Sequence, residues 1–595
     1  MLHRLASPFW RSSIAAELRV GPRALRGTVP WLLRTKLKQV ESLLEVALRN
    51  AQRAPHDLAF EMDDEHLTWS ELASTTSRIA HTLAAASVKQ GDVVALFAEN
   101  SPFYVAAVLG ASRVGATAAL INTNLRGRPL THAIESATAK VVLVSHTLES
   151  GLRDCESLCQ SLDRILVFDD DPYSKFLGDA PTAPYPPAPV RADDDFIYIY
   201  TSGTTGLPKP CRISHARAIL AGAGFGSLMY EFGPGDKLYC VLPLYHASGF
   251  LLGLSAAMTS RVPVAIRKSF SARAFWDDVH RYRATAILYI GELCRYLVNS
   301  PPHPRELPNP VRVAVGNGLR PDIWPRFKAR FGIEHIREFY GATEAPGFIA
   351  NLSGREGSVG RVPLGGWVGW LRLVQYDVDR DRHIRDERGF CVPCEAHEVG
   401  ELLFRVPKLS PSGLEYRGYT DQAETEKKLI HDVFKKGDLY FRSGDLLRFD
   451  EDGFYYFVDR IGDTFRWKGE NVSTAEVADV ITTNDGIEEA TVVGVHVPNV
   501  EGQAGLAAVV PSGPFDPQRF WRAVSDLPRY AQPRFIRVMG GLTKTATFKI
   551  QKSELKKEGV DPSVVQDPLY VRTGGGYERL TVERWTDIKE GRFQL

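Results

Sequence analysis

Tyr198-Ile199-Tyr200-Thr201-Ser202-Gly203-Thr204-Thr205-Gly206-Leu207-Pro208-Lys209 is the stretch on which the reading of this chain turns. An apolar, aromatic run of strand type leads into small hydroxylated residues and glycines and closes on a lysine. Glycines let a backbone come close to a polyphosphate, hydroxyl and N–H groups donate to its oxygens, and the lysine adds positive charge. The spacing is not that of a Walker A loop, whose lysine follows glycine directly and precedes Ser or Thr. Taken alone, such a stretch also suits a flexible surface loop.

Outward from this segment, helical patterns alternate with short apolar runs at Val93–Phe97, Val141–Val144 and Ile165–Phe168, the alternation of an α/β fold. Ser101–Ile121 is apolar over much of its length but broken by Ser112, Arg113 and glycines, which suits a buried helix and strand better than a membrane span. Pro172, Pro181, Pro184, Pro186, Pro187 and Pro189 cannot pack inside a strand or helix, so the segment between Asp171 and Val190 is expected to be a surface linker. A hairpin is predicted over Leu446–Asp459, turning near Glu451-Asp452-Gly453, and the charged stretch Asp459–Gly469 that follows suggests a hinge. With 595 residues the chain exceeds what one core needs. The expected organisation is a basic arm over residues 1–40, a large domain over 41–461 and a small domain over 462–595.

Composition narrows the function. Lys and Arg total 72 against 71 Asp and Glu, so nucleic acid is not an expected partner. Seven scattered cysteines fit a reducing, intracellular compartment, and the lone Cys391-x-x-Cys394 lacks a second pair at zinc-site spacing. The first forty residues carry Arg4, Arg11, Arg19, Arg23, Arg26, Arg34, Lys36 and Lys38 against Glu17. Three readings stay open for this arm: a peripheral contact with anionic lipid through Trp10, Trp31 and Leu32, a solvated helix, or a transit segment.

Further motifs follow in order. Leu242-Pro243-Leu244-Tyr245-His246-Ala247-Ser248-Gly249, Gly316-Asn317-Gly318-Leu319, Phe339-Tyr340-Gly341-Ala342-Thr343-Glu344, Arg442-Ser443-Gly444-Asp445, Asp459–Asn471 and Thr543–Lys549 together resemble the adenylate-forming superfamily of acyl-CoA synthetases, luciferases and peptide-synthetase adenylation domains. The resemblance implies a large multi-subdomain N-terminal domain with a small mobile α+β C-terminal domain. It implies ATP or AMP contacts at Tyr200, Thr201, Ser202, Gly203, Thr204, Thr205, Gly206, Lys209, Asn317, Gly318, Leu319, Tyr340, Gly341, Ala342, Thr343, Asp445 and Arg460. Lys549, Thr343 and His246 are the implied catalytic residues, Glu344 the Mg²⁺ ligand, Gly462 the hinge, and Trp467 with Gly469 the path of coenzyme A. The residue types suit these roles: an aromatic face stacks on a purine, a carboxylate accepts two ribose hydroxyls, and a glutamate is a hard oxygen ligand.

Gly91–Phe97 with Ala119–Gly127, Asp459–Asn471, Phe548–Lys552 and the tail from Asp567 are similar to the branch of fatty acid transport proteins and very-long-chain acyl-CoA synthetases. This implies ATP- and Mg²⁺-dependent conversion of a long aliphatic acid to an acyl-adenylate and then to a coenzyme A thioester. The alternatives are a ligase for a specialised small or polyketide-type acid, acylation of a carrier protein, and, in another class, a fatty acid uptake protein acting by acyl trapping. The chain departs from the branch at Ala345-Pro346 and at Pro210-Cys211, both near the implied substrate, and Phe250, Leu251 and Val315 are candidates for the acyl pocket. The location implied is cytoplasmic or peripheral on an organelle membrane. Its last residues, Phe593-Gln594-Leu595, end in leucine but lack the small and basic residues of a peroxisomal signal.

Overall fold

The computed structural model describes residues 22, 28–31, 33–34 and 42–595, apart from 169–173, 179, 203–206, 363–370, 379, 408–412, 414, 468–469, 484–485, 499, 501, 546–549 and 594. The fold is mixed α/β in two compact units. The larger comprises residues 1–367, 405–431 and 438–441, and the smaller residues 368–404, 432–437 and 442–595.

In the larger unit, one sheet of six strands is built from β1 (Val93–Phe97), β2 (Thr117–Leu120), β3 (Val141–Ser145), β4 (Arg164–Phe168), β5 (Asp195–Ser202) and β6 (Pro208–Ser214), in the order β4-β3-β1-β2-β5-β6. The first five strands run parallel, and β6 returns antiparallel to β5 with Ser202 opposite Pro208. Each predicted apolar run is therefore a strand. β1 and β3 are buried along their whole length, as expected of parallel strands covered on both faces. A second, larger sheet holds β7 (Ala286–Ile290), β8 (Val313–Asn317) and β9 (His335–Tyr340) side by side and parallel.

Of two helices packed on each other, the second lies against the first sheet. α1 (Trp69–Ala85) opens with a capping box: Thr68 Oγ1 accepts from Glu71 N–H at 3.3 Å, and Thr68 N–H donates to Glu71 Oε2 at 2.8 Å. α2 (Pro102–Arg113) starts from the Ser101 cap with Pro102 in its first turn, and all its residues are buried. The expected core helix and strand over Ser101–Ile121 are thus α2 and β2. No helix among the described residues is long and apolar enough to cross a membrane.

The proline-rich segment is tied down rather than loose. Arg113 Nε donates to Tyr185 O at 2.6 Å, His81 Nε2 lies 2.9 Å from Ala183 O, and Gln90 Nε2 donates to Pro189 O at 2.8 Å. Of the basic arm most lies outside the described residues; in the part that is described, Thr28 Oγ1 lies 3.1 Å from Ser227 Oγ and the Arg34 guanidinium covers the Trp31 ring.

In the smaller unit the predicted hairpin forms from β10 (Leu439–Phe449), whose residues 442 onward belong here, and β11 (Phe454–Arg460). Its turn carries Gly453 at φ 79°, where glycine avoids the clash of a side chain. A short hairpin, β12 (Phe465–Trp467) and β13 (Glu470–Val472), leads into a five-stranded sheet covered by helices, with Trp467, Phe520 and Phe535 in its core.

Candidate active site

The loop over Gly203–Gly206 lies outside the described residues, but its frame is clear. It joins the two antiparallel strands β5 and β6, so it is a hairpin connection and not a strand-to-helix turn. Thr201 lies at the end of β5. Tyr200 alternates with it to the other face: it is 7% exposed, sits in the sheet core, and donates from its hydroxyl to Ala133 O at 2.5 Å. The Tyr200 side chain is thus part of the sheet core. Lys209 Nζ is 2.5 Å from Glu424 Oε2, and Glu424, which also holds Lys427, has its carboxyl drawn down to about 2 by hydrogen bonds from the two lysines. Glu424 stands on α3 (Gln422–Glu426), and the chain just before it extends the sheet: Arg212 N–H donates to Gly418 O and Thr420 N–H to Pro210 O.

The adenine-type turn is assembled by a residue that sequence reasoning missed. Glu338, on β9 two residues before Tyr340, is 2% exposed. Its carboxylate accepts Gly318 N–H at 2.9 Å, Leu319 N–H at 3.0 Å and the Tyr289 hydroxyl at 2.8 Å. Parallel pairing of β8 with β9 sets Gly316 opposite Glu338, which brings Asn317–Leu319 and Tyr340 to the same end of the sheet. Gly318 has φ 78°, and Asn317 Oδ1 is buried with no partner among the described residues. A buried carbonyl left unsatisfied costs about 1–3 kcal/mol, a cost that a donor placed there would remove.

Burial pushes the Glu338 carboxyl up to about 8 against the pull of its three donors. Between the ordinary carboxylate value of 4.5 and about 8 the folded chain therefore holds a proton that the unfolded chain has released. Stability contributed by this group falls as pH rises through that window, by at most ~1.4 kcal/mol per pH unit. Glu338→Gln removes this slope; urea unfolding midpoints of both proteins measured from pH 5 to 8 give the comparison, and parallel curves would count against the assignment.

After β9 the chain turns sharply, Ala345 N–H donating to Ala342 O at 3.1 Å, and Thr343 and Glu344 are half-buried while Gly341 is exposed. Glu344 Oε1 accepts the Tyr419 hydroxyl at 2.8 Å, and the Thr201 side chain bonds to the same phenol oxygen. Tyr419 thereby links the residue read as a metal ligand to the end of β5. The half-buried Arg217 donates to Thr343 O at 3.4 Å and to Ala345 O, and Cys211 is its electrostatic neighbour. Both departures from the branch pattern, at Cys211 and at Ala345, therefore meet at one guanidinium. Tyr419→Phe frees Glu344 from its orienting donor. The half-saturating Mg²⁺ concentration is expected to rise on the order of tenfold, and an unchanged Mg²⁺ titration would refute that link.

His246 follows a loop pinned by Asn100, whose side chain donates to Leu242 O at 2.9 Å and accepts Leu244 N–H at 2.8 Å. The His246 ring lies 4.6 Å from that of Tyr245, itself bonded to Thr123. Phe250, Leu251 and Val315 are buried in the core.

In the smaller unit, β10 and β11 pair Asp445 with Arg460 directly across the ladder, their side chains 3.8 Å apart. The step before Asp445 rests on Glu401, fully buried, which accepts Gly444 N–H at 3.0 Å, pairs with Arg442 at 3.2 Å and with His383 at 2.6 Å. Gly462 has no atom within 4 Å of where a Cβ would sit, so sterics do not demand glycine there. Its carbonyl accepts Lys556 Nζ at 2.8 Å, and Asp463 beside it pairs with Lys552 and Lys556. Trp467 is 1% exposed and belongs to the core. Gly469 and Lys549 lie outside the described residues. No group of three or more His, Cys, Asp or Glu side chains suited to a metal occurs among the described residues, and Cys394 is buried with its thiol pushed up to about 12 by desolvation.

A family model described as AMP-binding enzyme matches residues 48–412, and one described as AMP-binding enzyme C-terminal domain matches residues 476–549. The chain belongs to the AMP-binding enzymes. It is 39% identical to long-chain fatty acid transport protein 1 of Rattus norvegicus, over 91% of this chain and 84% of that protein. It is 38% identical to the medium/long-chain-fatty-acid–CoA ligase FadD6 of Mycobacterium tuberculosis, over 96% and 95% of the two chains. Among solved structures it is similar to the anthranilate CoA ligase AuaEII in complex with anthranoyl-AMP, with a TM-score of 0.73 at 20% identity over 87% of this chain and 96% of that one. It is likewise similar to ATP-bound MatB from Rhodopseudomonas palustris, with a TM-score of 0.73 at 22% identity over 87% and 98%. These two likenesses establish the AMP-binding enzyme fold.

Proposed function

We propose that this AMP-binding enzyme is an acyl-CoA ligase that uses ATP to activate a long aliphatic carboxylic acid, first as acyl-AMP and then as the coenzyme A thioester. The observation that carries the nucleotide half is the turn Asn317–Leu319, fixed by buried Glu338 and offering the unsatisfied Asn317 Oδ1 to a donor such as an adenine amino group. The choice of acid rests on relatives named for long-chain fatty acids and alike over nine tenths of the chain.

In this reading Tyr340 stacks on the adenine and Asp445 accepts the ribose hydroxyls. The carboxylate of the acid, near His246, attacks the α-phosphorus of ATP; a new O–P bond forms as the bond to the pyrophosphate oxygen breaks. Thr343, Lys549 and the N–H and hydroxyl groups of Thr201–Gly206 stabilise the charge that builds on the phosphate oxygens. Glu344 is the protein oxygen that fits Mg²⁺, which commonly takes one or two carboxylates and leaves its other positions to phosphate and water; when bound, Mg²⁺ supplies charge compensation between the phosphates. Lys209 is held by Glu424 and would reach phosphate only by leaving that pair. The segment beyond Gly462 is proposed to turn between half-reactions, exchanging Lys549 for Gly469 so that a CoA thiolate attacks the acyl carbonyl and AMP leaves. The boundary between the fixed and mobile parts is proposed at residues 461 and 462. Acyl trapping also accounts for uptake, since a charged thioester stays in the compartment where it forms. Residues 1–40 are proposed as a peripheral membrane contact.

The test is product analysis across free acids of graded chain length, with and without CoA. Long acids should give AMP and thioester together in equal amounts. Turnover confined to short or aromatic acids, or AMP release with no thioester, would defeat the proposal.

A further inference from the structure

Among the described residues, three arginines of the smaller unit stand together with no acid named beside Arg534 or Arg572 to balance them. Arg534 is 9% exposed; its guanidinium lies 5.2 Å over the Trp467 ring, donates to Arg529 O at 3.0 Å, and leaves its buried Nε without a partner. Arg572, on the neighbouring strand Leu569–Thr573, donates its backbone N–H to Arg534 O at 2.9 Å. Its guanidinium lies 5.0 Å over the Trp521 ring, and its Nε is also buried without a partner. Among the described residues the group that faces both is the neutral phenol of Tyr577, which donates to Pro533 O at 2.7 Å. Arg529, beside them, is exposed and opens the cluster to solvent.

This breaks a rule that the strand just after Arg534, Phe535–Val538, obeys. Arg537, three residues beyond Arg534, is paired with both Glu558 and Asp567. Buried charges are ordinarily matched in this way, because an unmatched one forfeits its hydration. Stacking on tryptophan offsets about 0.5–2 kcal/mol per cation but supplies no negative charge and leaves the arginines repelling one another. Burial and the Arg572 charge accordingly push the Arg534 guanidinium down to about 10.

We propose that Arg534, Arg572 and Arg529 form an anion site that takes a phosphate group of coenzyme A. Planar guanidinium forks match phosphate oxygens in pairs, and their weak hydration lets them wait half-buried for such a ligand. The occupant follows from the proposed acyl-CoA ligase reading, on which this assignment rests. The phosphates of ATP and acyl-AMP sit at the reacting atoms, whereas those of CoA lie at the far end of the molecule from its thiol and need a separate anchor. Trp467, the platform under Arg534, ends the strand that runs into Gly469, the residue placed on the CoA path.

The experiment compares CoA, dephospho-CoA and pantetheine as acceptors for the full-length chain and for Arg572→Gln combined with Arg529→Gln, with Arg579→Gln, an exposed arginine over Tyr570, as the charge control. The double variant should raise KM for CoA about tenfold or more, the loss expected for charged hydrogen bonds, and leave KM for pantetheine and the control unaltered. A smaller rise for dephospho-CoA assigns the terminal phosphate monoester, and an equal rise assigns the diphosphate; either upholds the site. No rise for CoA, or the same rise for pantetheine, overturns it. If the chain makes no thioester from any acid, the ligase reading falls and the site is judged by tryptophan fluorescence titrated with CoA and with inorganic pyrophosphate. Saturable CoA binding that the double variant loses upholds it. Equal binding by both proteins, binding of pyrophosphate without CoA, or no binding at all overturns it.

Discussion

Lys549→Ala should lower ATP–pyrophosphate exchange by about 10²- to 10³-fold, the usual effect of removing one group that stabilises transition-state charge, and still convert supplied acyl-adenylate and CoA to thioester. The asymmetry follows from chemistry. Attack of a carboxylate on the α-phosphorus gathers negative charge on the phosphate oxygens, which an ammonium group offsets in a site that excludes water. Thiolate attack on the acyl carbonyl places new charge on a different oxygen and expels an AMP already formed. Single-turnover assays of the two halves separate these possibilities, and an equal loss in both would show that Lys549 acts elsewhere.

Gly291→Ala should raise KM for ATP about a hundredfold, the scale on which a displacement of about 1 Å in a positioning element is felt. Gly291 opens the helix after β7, and a Cβ there would lie 1.7 Å from Gly318 O, 2.3 Å from Gly318 C and 2.8 Å from Leu319 N. All three atoms are backbone, so no side-chain rotation relieves the clash and the turn that Glu338 holds must move. Gly224→Ala is the matched control: its backbone is helical, at φ −64°, nothing lies within 4 Å of the added carbon, and the substitution should add up to ~1 kcal/mol of stability through helix propensity. A Gly291→Ala protein with ordinary thermal unfolding and an ordinary KM for ATP would remove this turn from the nucleotide site.

What the sequence disclosed and what it hid divide along physical lines. Continuous apolar runs such as Val93–Phe97 announce buried parallel strands because neighbours within the run carry the signal, and the Glu451–Gly453 turn announces its hairpin in the same local way. Hidden were the residues whose partners are remote in the chain. Asn100 grips the His246 loop across 142 positions, Tyr419 reaches Glu344 across 75, and Glu338 meets Gly318 across 20. Nothing in the local pattern marks them: Glu338 stands in a strand that also carries His335 and Arg337, so its charge is no local anomaly. Tyr200 carries two signals at once: its place inside a motif suggests contact with nucleotide, while two-residue strand alternation sends its side chain to the same face as Tyr198, into the core. The hinge is a third case. Gly462 was chosen for a glycine's freedom, whereas the visible feature there is the hold of Lys552 and Lys556 on Gly462 and Asp463.

The proline-rich strap along α1 and α2 is fastened by donors on its neighbours, from Arg78, His81, Gln90 and Arg113, to its own backbone carbonyls. Carbonyls are common to every amino acid, so the strap can drift through many sequences over evolutionary time without loosening, provided it stays extended. Those donors have no such licence, because each uses a side chain of particular length and chemistry. Variation among descendants of this gene should therefore fall on the strap and spare the surface beneath it.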